Sequence, residues 1–230
     1  MIKVFSWPTP NAYKVHIMLE ECGLRRGSDW EVVPINIDRG EQFKPEFMHV
    51  NPNSKIPVLV DPKGPDGKPI ALFESGAILL YLAAKAGKLL PKKDRLKYQV
   101  LQWLMFQMSG LGPTLGQNRH FRTLTPEKID YAIERYTVEN QRLYGVMDKR
   151  LMNSKFIACD QYTLADIAIF PGLRSARAQG IDWADYPHLK RWFDLVGARS
   201  AVQRALHGKF MTPMDQGDGI GRPNICQQQG

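Results

Sequence analysis

The residues with the clearest chemical use lie between positions 51 and 78, across a predicted β-hairpin and the start of a helix. Pro57 opens the first strand of this hairpin, directly after Ile56. Proline is tolerated at the first residue of a strand, and X-Pro is the peptide bond that readily adopts the cis form. A cis bond before Pro57 would turn the backbone N–H and C=O of Ile56 outward. An extended peptide could then pair with them.

The second strand of the hairpin leads into Glu74 and Ser75, which precede an apolar helical run from Gly76 to Ala84. Ser75 is a good N-cap residue, so we expect it to cap this helix. The unpaired N–H groups and the dipole of a helix N-terminus favour a carboxylate, and Glu74 can accept a hydrogen bond from an ammonium group. The stretch therefore predicts a site for a small peptide that carries an α-amino acid head group.

The elements before this stretch predict the fold that positions it. Residues 2–7 read as a strand, 12–22 as an amphipathic helix and 31–37 as a second strand, which gives a parallel β-α-β crossover. The hairpin strands, 58–60 and 70–73, flank a segment of turn residues. The resulting order, β-α-β-(α)-β-β-α, predicts a thioredoxin-like α/β domain over residues 1–87.

The remaining chain has the periodicity of helices. We expect a linker at 88–98, an all-helical domain at 99–210 and a mobile tail at 211–230, where Gly, Pro, Gln and Asp dominate. One helical segment is predicted over 95–121, with a bend near Gly110–Pro113 because proline removes a backbone hydrogen bond. A second is predicted from the Thr125–Pro126 cap to Leu151.

Thr163 to Asp166 has the pattern of a capping box, with an acid three residues after the cap. Asp166 is therefore interpreted as structural rather than catalytic.

Composition limits the partners. The chain has 230 residues, a net charge of +8 and a pI near 9.4, with Lys and Arg spread along its length. This favours a solvated basic surface, with attraction of anionic ligands as a second possibility. The sequence contains no cluster of Lys and Arg with interleaved aromatic residues, so nucleic-acid binding is not indicated. No apolar run is long enough for a membrane span and nothing resembles a signal peptide, so we expect a cytoplasmic protein without a membrane partner.

The three cysteines are Cys22, Cys159 and Cys226, an odd number without a close pair. A disulfide framework is not indicated, and a reducing compartment is expected. A thioredoxin-like domain without a Cys-x-x-Cys pair must take its reactive thiol from the ligand. Cys22 lies late in the first predicted helix and is interpreted as a packed, unreactive thiol. No metal site is predicted.

Several spaced motifs resemble the cytosolic glutathione transferases, over about residues 1–208. The Ile56-Pro57 step, the Glu74-Ser75 pair and the leucine-rich helix after it are similar to the glutathione site of that superfamily. Three further stretches resemble its nu-class, Ure2-like branch, whose bacterial members are glutathione-dependent disulfide-bond oxidoreductases. These stretches are residues 8–11 (Pro-Thr-Pro-Asn), 73–82, and 115–118 with 131–136.

The resemblance implies a role for each part of a glutathione site. The backbone of Ile56 before Pro57 would bind the cysteinyl unit, Ser75 the γ-glutamyl carboxylate, and Glu74 the ammonium. The residues implied near the glycyl end are Gln42 and Lys55. Thr9 and Asn11 match the positions that would donate hydrogen bonds to the glutathione thiolate, beside a helix N-terminus that favours it. Ser6 and Tyr13 are rivals for this role, although Ser6 is expected to be a strand residue and Tyr13 either to pack or to line the mouth of the site.

Arg135 lies about a third of a turn away from the apolar stripe of its predicted helix, so it should not point into the core of its own subunit. The resemblance implies a homodimer in which this arginine reaches the glutathione carboxylate of the partner subunit. An ordinary solvated arginine is the alternative.

Three functions stay open. The favoured one is a disulfide-bond oxidoreductase that uses glutathione or its disulfide, because a weakly activated thiolate suits disulfide exchange. The second is a transferase that conjugates glutathione to an electrophile. The third is a non-catalytic binding or regulatory module of the Ure2 type.

Overall fold

The computed structural model of the chain describes residues 1–207. The predicted tail at 211–230, and the last residues of the predicted helical domain, lie outside the described residues. Within residues 1–207 an α/β thioredoxin-like domain is followed by an all-α domain, as predicted.

A four-stranded mixed sheet forms the centre of the first domain. Its strands are β1 (Ile2–Ser6), β2 (Trp30–Pro34), β3 (Val58–Asp61) and β4 (Ile70–Phe73), in the order β2-β1-β3-β4. β1 pairs with β2 in parallel and with β3 antiparallel, and β3 pairs with β4 antiparallel. The parallel pair needs the long crossover that the first helix provides, whereas β3 and β4 are joined by residues 62–69, which include a 3-10 turn at Pro65–Gly67.

Three helices complete this domain: α1 (Pro10–Glu21), α2 (Pro45–Val50) and α3 (Ser75–Ala86). Helix α1, predicted as an amphipathic helix, places Val15, Met18 and Leu19 in the core. Helix α3 ends at Gly87, which has a φ of 63°. This left-handed conformation is the usual reason for a glycine directly after a helix.

The second domain contains six α-helices within residues 94–207: α4 (Asp94–Met105), α5 (Gly112–Arg119), α6 (Asp130–Leu151), α7 (Leu164–Leu173), α8 (Pro187–Gly197) and α9 (Ser200–His207). Two π-helical segments, Phe106–Leu111 and His120–Leu124, follow α4 and α5 respectively. The interruption predicted near Gly110–Pro113 is therefore a π-helical segment, with the proline in the first turn of α5. Helix α4 begins inside the segment that the sequence assigned to the linker.

The predicted start of the next helix at Thr125 is wrong, because α6 begins at Asp130. The Thr125 N–H closes the preceding π-helical segment by donating to the carbonyl of His120 at 3.1 Å. Its hydroxyl donates to the carbonyl of Glu127 at 2.8 Å instead of accepting a helix N–H. Thr125 thus ends one helical segment and forms a turn before the next.

The capping box at the start of α7 is confirmed. The Asp166 carboxylate accepts hydrogen bonds from the backbone N–H groups of Ile157 and Thr163, both at 2.9 Å, and from the indole of Trp192 at 2.8 Å. Asp166 is fully buried, and burial raises the pKa of its carboxyl group. Its partners are structural groups, so the residue joins α7 to the neighbouring segments, as expected.

Helix α1 packs against both domains. It lies beside α3 and also contacts α7 and α9 of the helical domain. The Arg199 guanidinium pairs with Glu21 at the end of α1, at 2.6 and 2.8 Å, and lies over the ring of Tyr162. None of the helices within residues 1–207 is both long enough and apolar enough to cross a membrane.

Candidate functional site

A pocket opens where the start of α1, the loop before β3 and the start of α3 meet. It brings together six residues that the sequence assigned to the site and adds two asparagines from the same loop. The lining residues are Asn11, Asn51, Asn53, Lys55, Ile56, Pro57, Glu74 and Ser75. Residues far apart in sequence, at positions 11, 56 and 75, therefore form one cavity.

The loop before β3 presents a backbone edge to this pocket. The Ile56–Pro57 peptide bond is cis, as expected from the sequence. Within residues 1–207, no hydrogen bond uses the backbone N–H or C=O of Ile56. The buried Asn51 side chain holds the loop: its amide donates to the carbonyl of Lys55 at 2.6 Å, and its oxygen accepts from the N–H of Asn53 at 2.9 Å.

Helix α3 begins one residue earlier than predicted, at Ser75, so the expectation that Ser75 is the N-cap is wrong. Glu74 occupies the cap with φ 67° and ψ 111°, and its side chain makes no capping hydrogen bond. This backbone conformation is rare for a residue with a side chain and costs free energy. The Glu74 carboxylate is thereby left exposed at the pocket, next to the first-turn N–H groups of α3.

A buried lysine lies directly beneath Ser75. Lys14 of α1 is 2% exposed, and its Nζ donates to Gln107 Oε1 at 2.8 Å and approaches Ser75 Oγ at 3.5 Å. Burial lowers the pKa of Lys14 to about 7, against an opposing effect of the Glu74 carboxylate. Desolvation disfavours the charged form of a lysine, which accounts for this direction.

The partner of Lys14 comes from the π-helical segment Phe106–Leu111. An added side chain at Gly112 would meet Gln107 Nε2 at 2.7 Å and the Gln107 carbonyl at 3.0 Å, so the glycine allows this close approach. Gly76 of α3 similarly faces Met108, at 3.1 to 3.2 Å from a hypothetical Cβ. Such π-helical turns are often found at functional sites.

Thr9 and Asn11 lie at the start of α1. Thr9 is the N-cap, and its hydroxyl oxygen accepts from the N–H of Ala12 at 3.3 Å. The hydroxyl proton is left for a second partner. Asn11 is exposed and lines the pocket, whereas Thr9 is not among the residues that line it.

Two of the predicted binding residues do not line the pocket of this chain. Gln42 is buried, and its amide donates to the carbonyl of Ile37 at 3.4 Å. Arg135 is exposed on α6, where it lines a separate surface depression with Tyr131 and Glu139. The roles of both residues in ligand binding stay predictions.

Of the two alternatives for a thiol-activating residue, Ser6 is engaged inside the first domain, whereas the role of Tyr13 stays a prediction. Ser6 is fully buried and bonds to His16 Nε2 at 3.0 Å. The Tyr13 ring lies 5.1 Å from the Arg174 guanidinium. Cys22 is half-buried, and burial raises the pKa of its thiol to about 11, which agrees with an unreactive cysteine. Within residues 1–207 no cluster of side chains could hold a metal ion.

A second pocket adjoins the first and shares Asn11 with it. Most of its side chains are polar or very small, and Leu115 is the one large apolar residue in the lining. The lining residues are Pro10, Asn11, Gln107, Gly112, Leu115, Gly116, Arg119, Gly172, Ser175 and Gln179.

The sequence reasoning missed Lys14 and Gln107, and it did not assign Asn51 or Asn53. Lys14 carried a usable signal: it lies one turn before Met18 on the buried face of an amphipathic helix, where a lysine is rare. Gln107 had no comparable signal, because a glutamine between helical turns has many ordinary roles.

Comparisons with known proteins identify the family of the chain. Residues 1–84 match the family model of the glutathione S-transferase N-terminal domain, and residues 116–199 match that of the C-terminal domain. The chain is 47% identical over 207 residues to disulfide-bond oxidoreductase YfcG of Escherichia coli, covering 90% of this chain and 94% of that protein. It is 44% identical to disulfide-bond oxidoreductase YghU of the same organism, over 88% of this chain and 73% of that protein.

Solved structures show the same similarity. A glutathione transferase from Burkholderia graminis, solved with two glutathione molecules bound per subunit, superimposes with a TM-score of 0.85 at 42% identity, covering 92% of this chain and 89% of the other. A glutathione transferase from Pseudomonas putida, with one glutathione disulfide bound per subunit, has a TM-score of 0.83 at 40% identity, covering 90% of each chain. The chain therefore belongs to the glutathione transferase family.

Proposed function

We propose that this protein is a glutathione-dependent disulfide-bond oxidoreductase of the nu-class, Ure2-like branch. The observation that carries the proposal is the single pocket in which the Ile56 backbone, the Glu74 carboxylate and the first turn of α3 lie together. The similarity to two disulfide-bond oxidoreductases, and to structures that hold glutathione or its disulfide, supports the same reaction.

Each polar group of glutathione has a chemical partner in this pocket. The Ile56 backbone would pair with the cysteinyl unit, in the manner of a short added strand. The Ser75 hydroxyl and the first N–H groups of α3 suit the γ-glutamyl carboxylate, and the exposed Glu74 carboxylate suits the ammonium. Lys55 provides a positive charge toward the glycyl end. Gln42 is retained as a candidate there, although its buried position would require it to move.

The thiol would come from glutathione, since neither Cys22 nor Cys159 lines either pocket. In the overall reaction two glutathione thiols are oxidised to glutathione disulfide, while the substrate disulfide is reduced to two thiols. The chain contributes position and hydrogen bonding. Asn11 and Thr9, at the N-terminus of α1, provide donors that favour a thiolate.

The second pocket would hold the co-substrate. Its lining combines Gln107, Arg119, Ser175 and Gln179 with small residues, and most of the accessible lining surface is apolar. The Arg119 guanidinium and the two amides suit a peptide-like or anionic disulfide such as a glutathionyl group. The apolar part of the lining suits an apolar electrophile as well, so the two reactions are separated by assay.

We further propose a homodimer in which Arg135 reaches the ligand of the partner subunit. Arg135 is exposed on α6, and several large apolar side chains on α4 and α6 are exposed as well. These are Tyr98, Met105, Tyr131 and Val138. Apolar exposure of this extent is a common mark of a protein interface. A cytoplasmic location stays a prediction, based on the absence of an indicated disulfide framework.

An assay panel tests the reaction. We expect glutathione-coupled reduction of 2-hydroxyethyl disulfide and little conjugation of 1-chloro-2,4-dinitrobenzene. Ser75→Ala should weaken glutathione binding by about 10- to 100-fold, because a charge-assisted hydrogen bond contributes about 1.5–3 kcal/mol.

Ser109→Ala is the matched control, since the Ser109 hydroxyl is exposed and donates to the carbonyl of Met105, the last residue of α4, at 2.8 Å. Strong conjugation with negligible disulfide reduction would favour the transferase alternative. Glutathione binding with neither activity would favour a regulatory module.

A further inference from the structure

The ammonium of Lys14 is the one strongly buried cation beside the proposed glutathione pocket in the described chain, and none of the contacts assigned above uses it. Its Nζ lies between Gln107 Oε1, at 2.8 Å, and Ser75 Oγ, at 3.5 Å. Burial of a lysine at 2% exposure is costly unless it is paired. A neutral amide and a hydroxyl compensate this cost only in part, so the position calls for a functional explanation.

The contact with Lys14 restricts the direction of the Ser75 hydroxyl proton. A serine hydroxyl has one proton to donate and accepts through its lone pairs. While Lys14 Nζ donates to Ser75 Oγ, the hydroxyl proton must point elsewhere. Ser75 Oγ also lies 3.8 Å from Met108 Sδ, which is a weak acceptor. A ligand carboxylate on the pocket side of Ser75 is a much stronger acceptor and would receive that proton.

The charges around Lys14 make its proton responsive to the ligand. Its two hydrogen-bond partners, Gln107 and Ser75, are neutral, and the charged group that acts on it is Glu74 at the cap of α3. Burial lowers the pKa of Lys14 to about 7, so the ligand-free protein holds this proton only partly at neutral pH. A ligand carboxylate bound to Ser75 adds a negative charge near Lys14 and raises the pKa of Lys14.

We propose that Lys14 is a positioning residue for the α-carboxylate of the γ-glutamyl unit: it orients the Ser75 hydroxyl toward the ligand and supplies positive charge from inside the domain. The inference rests on the proposed glutathione site and deepens it. It predicts that ligand binding is coupled to proton uptake. It also predicts that Lys14 contributes to affinity only for ligands that carry the α-carboxylate.

Calorimetric titration with two ligands tests this proposal. The first is S-methylglutathione, which has no titrating thiol. The second is S-methyl γ-aminobutyryl-cysteinylglycine, which lacks only the α-carboxylate. We expect Lys14→Met to weaken binding of the first ligand at pH 7 by about tenfold and to leave the second unchanged, because about 1.4 kcal/mol corresponds to a factor of ten. Lys14→Gln serves as a second neutral variant if the methionine variant fails to fold.

The wild-type protein provides an independent measurement. Between pH 6 and 8.5 its affinity for S-methylglutathione should fall by about tenfold in total as Lys14 loses its proton, with proton uptake on binding detected in buffers of different ionisation enthalpy. Lys14→Met should remove both effects. Equal weakening of both ligands by the variant, or a wild-type affinity that does not change between pH 6 and 8.5, would overturn the role of Lys14 while leaving the site intact. Failure of the wild type to bind S-methylglutathione would overturn the proposed function as well.

Discussion

At the scale of single residues, the proposed site depends on side chains held in conformations or environments that cost stability. Glu74 has a positive φ, and Lys14 is a buried amine. Neither arrangement is favoured by folding alone, because a strained backbone and a desolvated charge both oppose it. Strain and burial of this kind concentrate at functional sites, where the surrounding structure holds them in place.

Replacing Glu74 by glycine separates strain from binding. We expect Glu74→Gly to weaken glutathione binding by about tenfold, because the ammonium loses its acceptor. The free energy of unfolding should rise by about 1 kcal/mol, because glycine tolerates positive φ. Asp66→Gly is the matched control: Asp66 has a φ of 56° in the turn between β3 and β4 and does not line the pocket.

Urea unfolding and titration calorimetry on the same samples check this prediction. If Glu74→Gly binds glutathione as tightly as the wild type, the Glu74 carboxylate has no role in binding. An affinity change of the same size in Asp66→Gly would show that backbone flexibility, not the lost carboxylate, is responsible.

The pKa of Lys14 also predicts how stability depends on pH. The pKa is about 7 in the folded protein against 10.5 for an unperturbed lysine, so the unfolded chain binds more protons between these values. Stability contributed by this group therefore rises with pH across that range and is lowest below pH 7. We expect Lys14→Met to have a higher Tm than the ligand-free wild type at pH 7, with the difference shrinking toward pH 10. Scanning calorimetry at several pH values measures it, and a lower Tm for the variant at pH 7 would contradict the prediction.

At the scale of elements, the π-helical segment Phe106–Leu111 connects the two pockets. Gln107 accepts a hydrogen bond from Lys14 beside the first pocket, and it also lines the second pocket. The register of this segment therefore determines the position of Gln107 relative to both pockets. A π-helical turn inserts an extra residue and redirects the side chains that follow. Gly112 permits that redirection, because its missing Cβ leaves room for the Gln107 amide and carbonyl.

A methyl group at position 112 should therefore disturb the first pocket, although Gly112 does not line that pocket. We expect Gly112→Ala to displace Gln107 and to weaken glutathione binding several-fold, even though alanine is a better helix former than glycine. Gly110→Ala is the control, since an added Cβ there meets nothing within 4 Å. Affinity and thermal stability of the two variants are compared. Equal behaviour would mean that the close approach of residues 107 and 112 has no part in binding.

At the scale of the whole molecule, the site lies where the two domains meet. Helix α1 provides Asn11 to both pockets while it packs on α7 and α9 of the helical domain. The Glu21–Arg199 ion pair fixes the far end of the same helix. Arg135 lies outside both pockets of its own chain, so its proposed role requires a second copy.

A mixture of two defective variants tests this role. If Arg135 completes the partner's site, a dimer of one Ser75→Ala subunit and one Arg135→Ala subunit contains one intact site and one doubly defective site. Refolding equal amounts together should give half mixed dimers and restore about a quarter of the wild-type sites. The disulfide reductase activity of the mixture is compared with that of each variant alone. Activity equal to the average of the two variants would show that Arg135 does not act across subunits.

The parts of the proposed site that are neighbours along the chain could be predicted from the sequence. Ile56 with Pro57, and Glu74 with Ser75, are neighbours whose local chemistry defines a bend and a helix start. The thioredoxin-like order and the capping box at Thr163 were predicted for the same reason, because turn residues and periodicity act over a few positions. Thr125 shows the limit of this reasoning. Its sequence suits an N-cap, but the preceding π-helical segment already engages its backbone.

The sequence by itself determined the two-domain fold, the backbone edge at Ile56 and the carboxylate at Glu74. Only the tertiary structure decided what lies beneath them. Lys14, Ser75 and Gln107 are separated by 61 and 32 residues, and they meet because α1, α3 and the π-helical segment pack side by side. Local propensities cannot specify such a contact, since it depends on how three elements bury their shared faces.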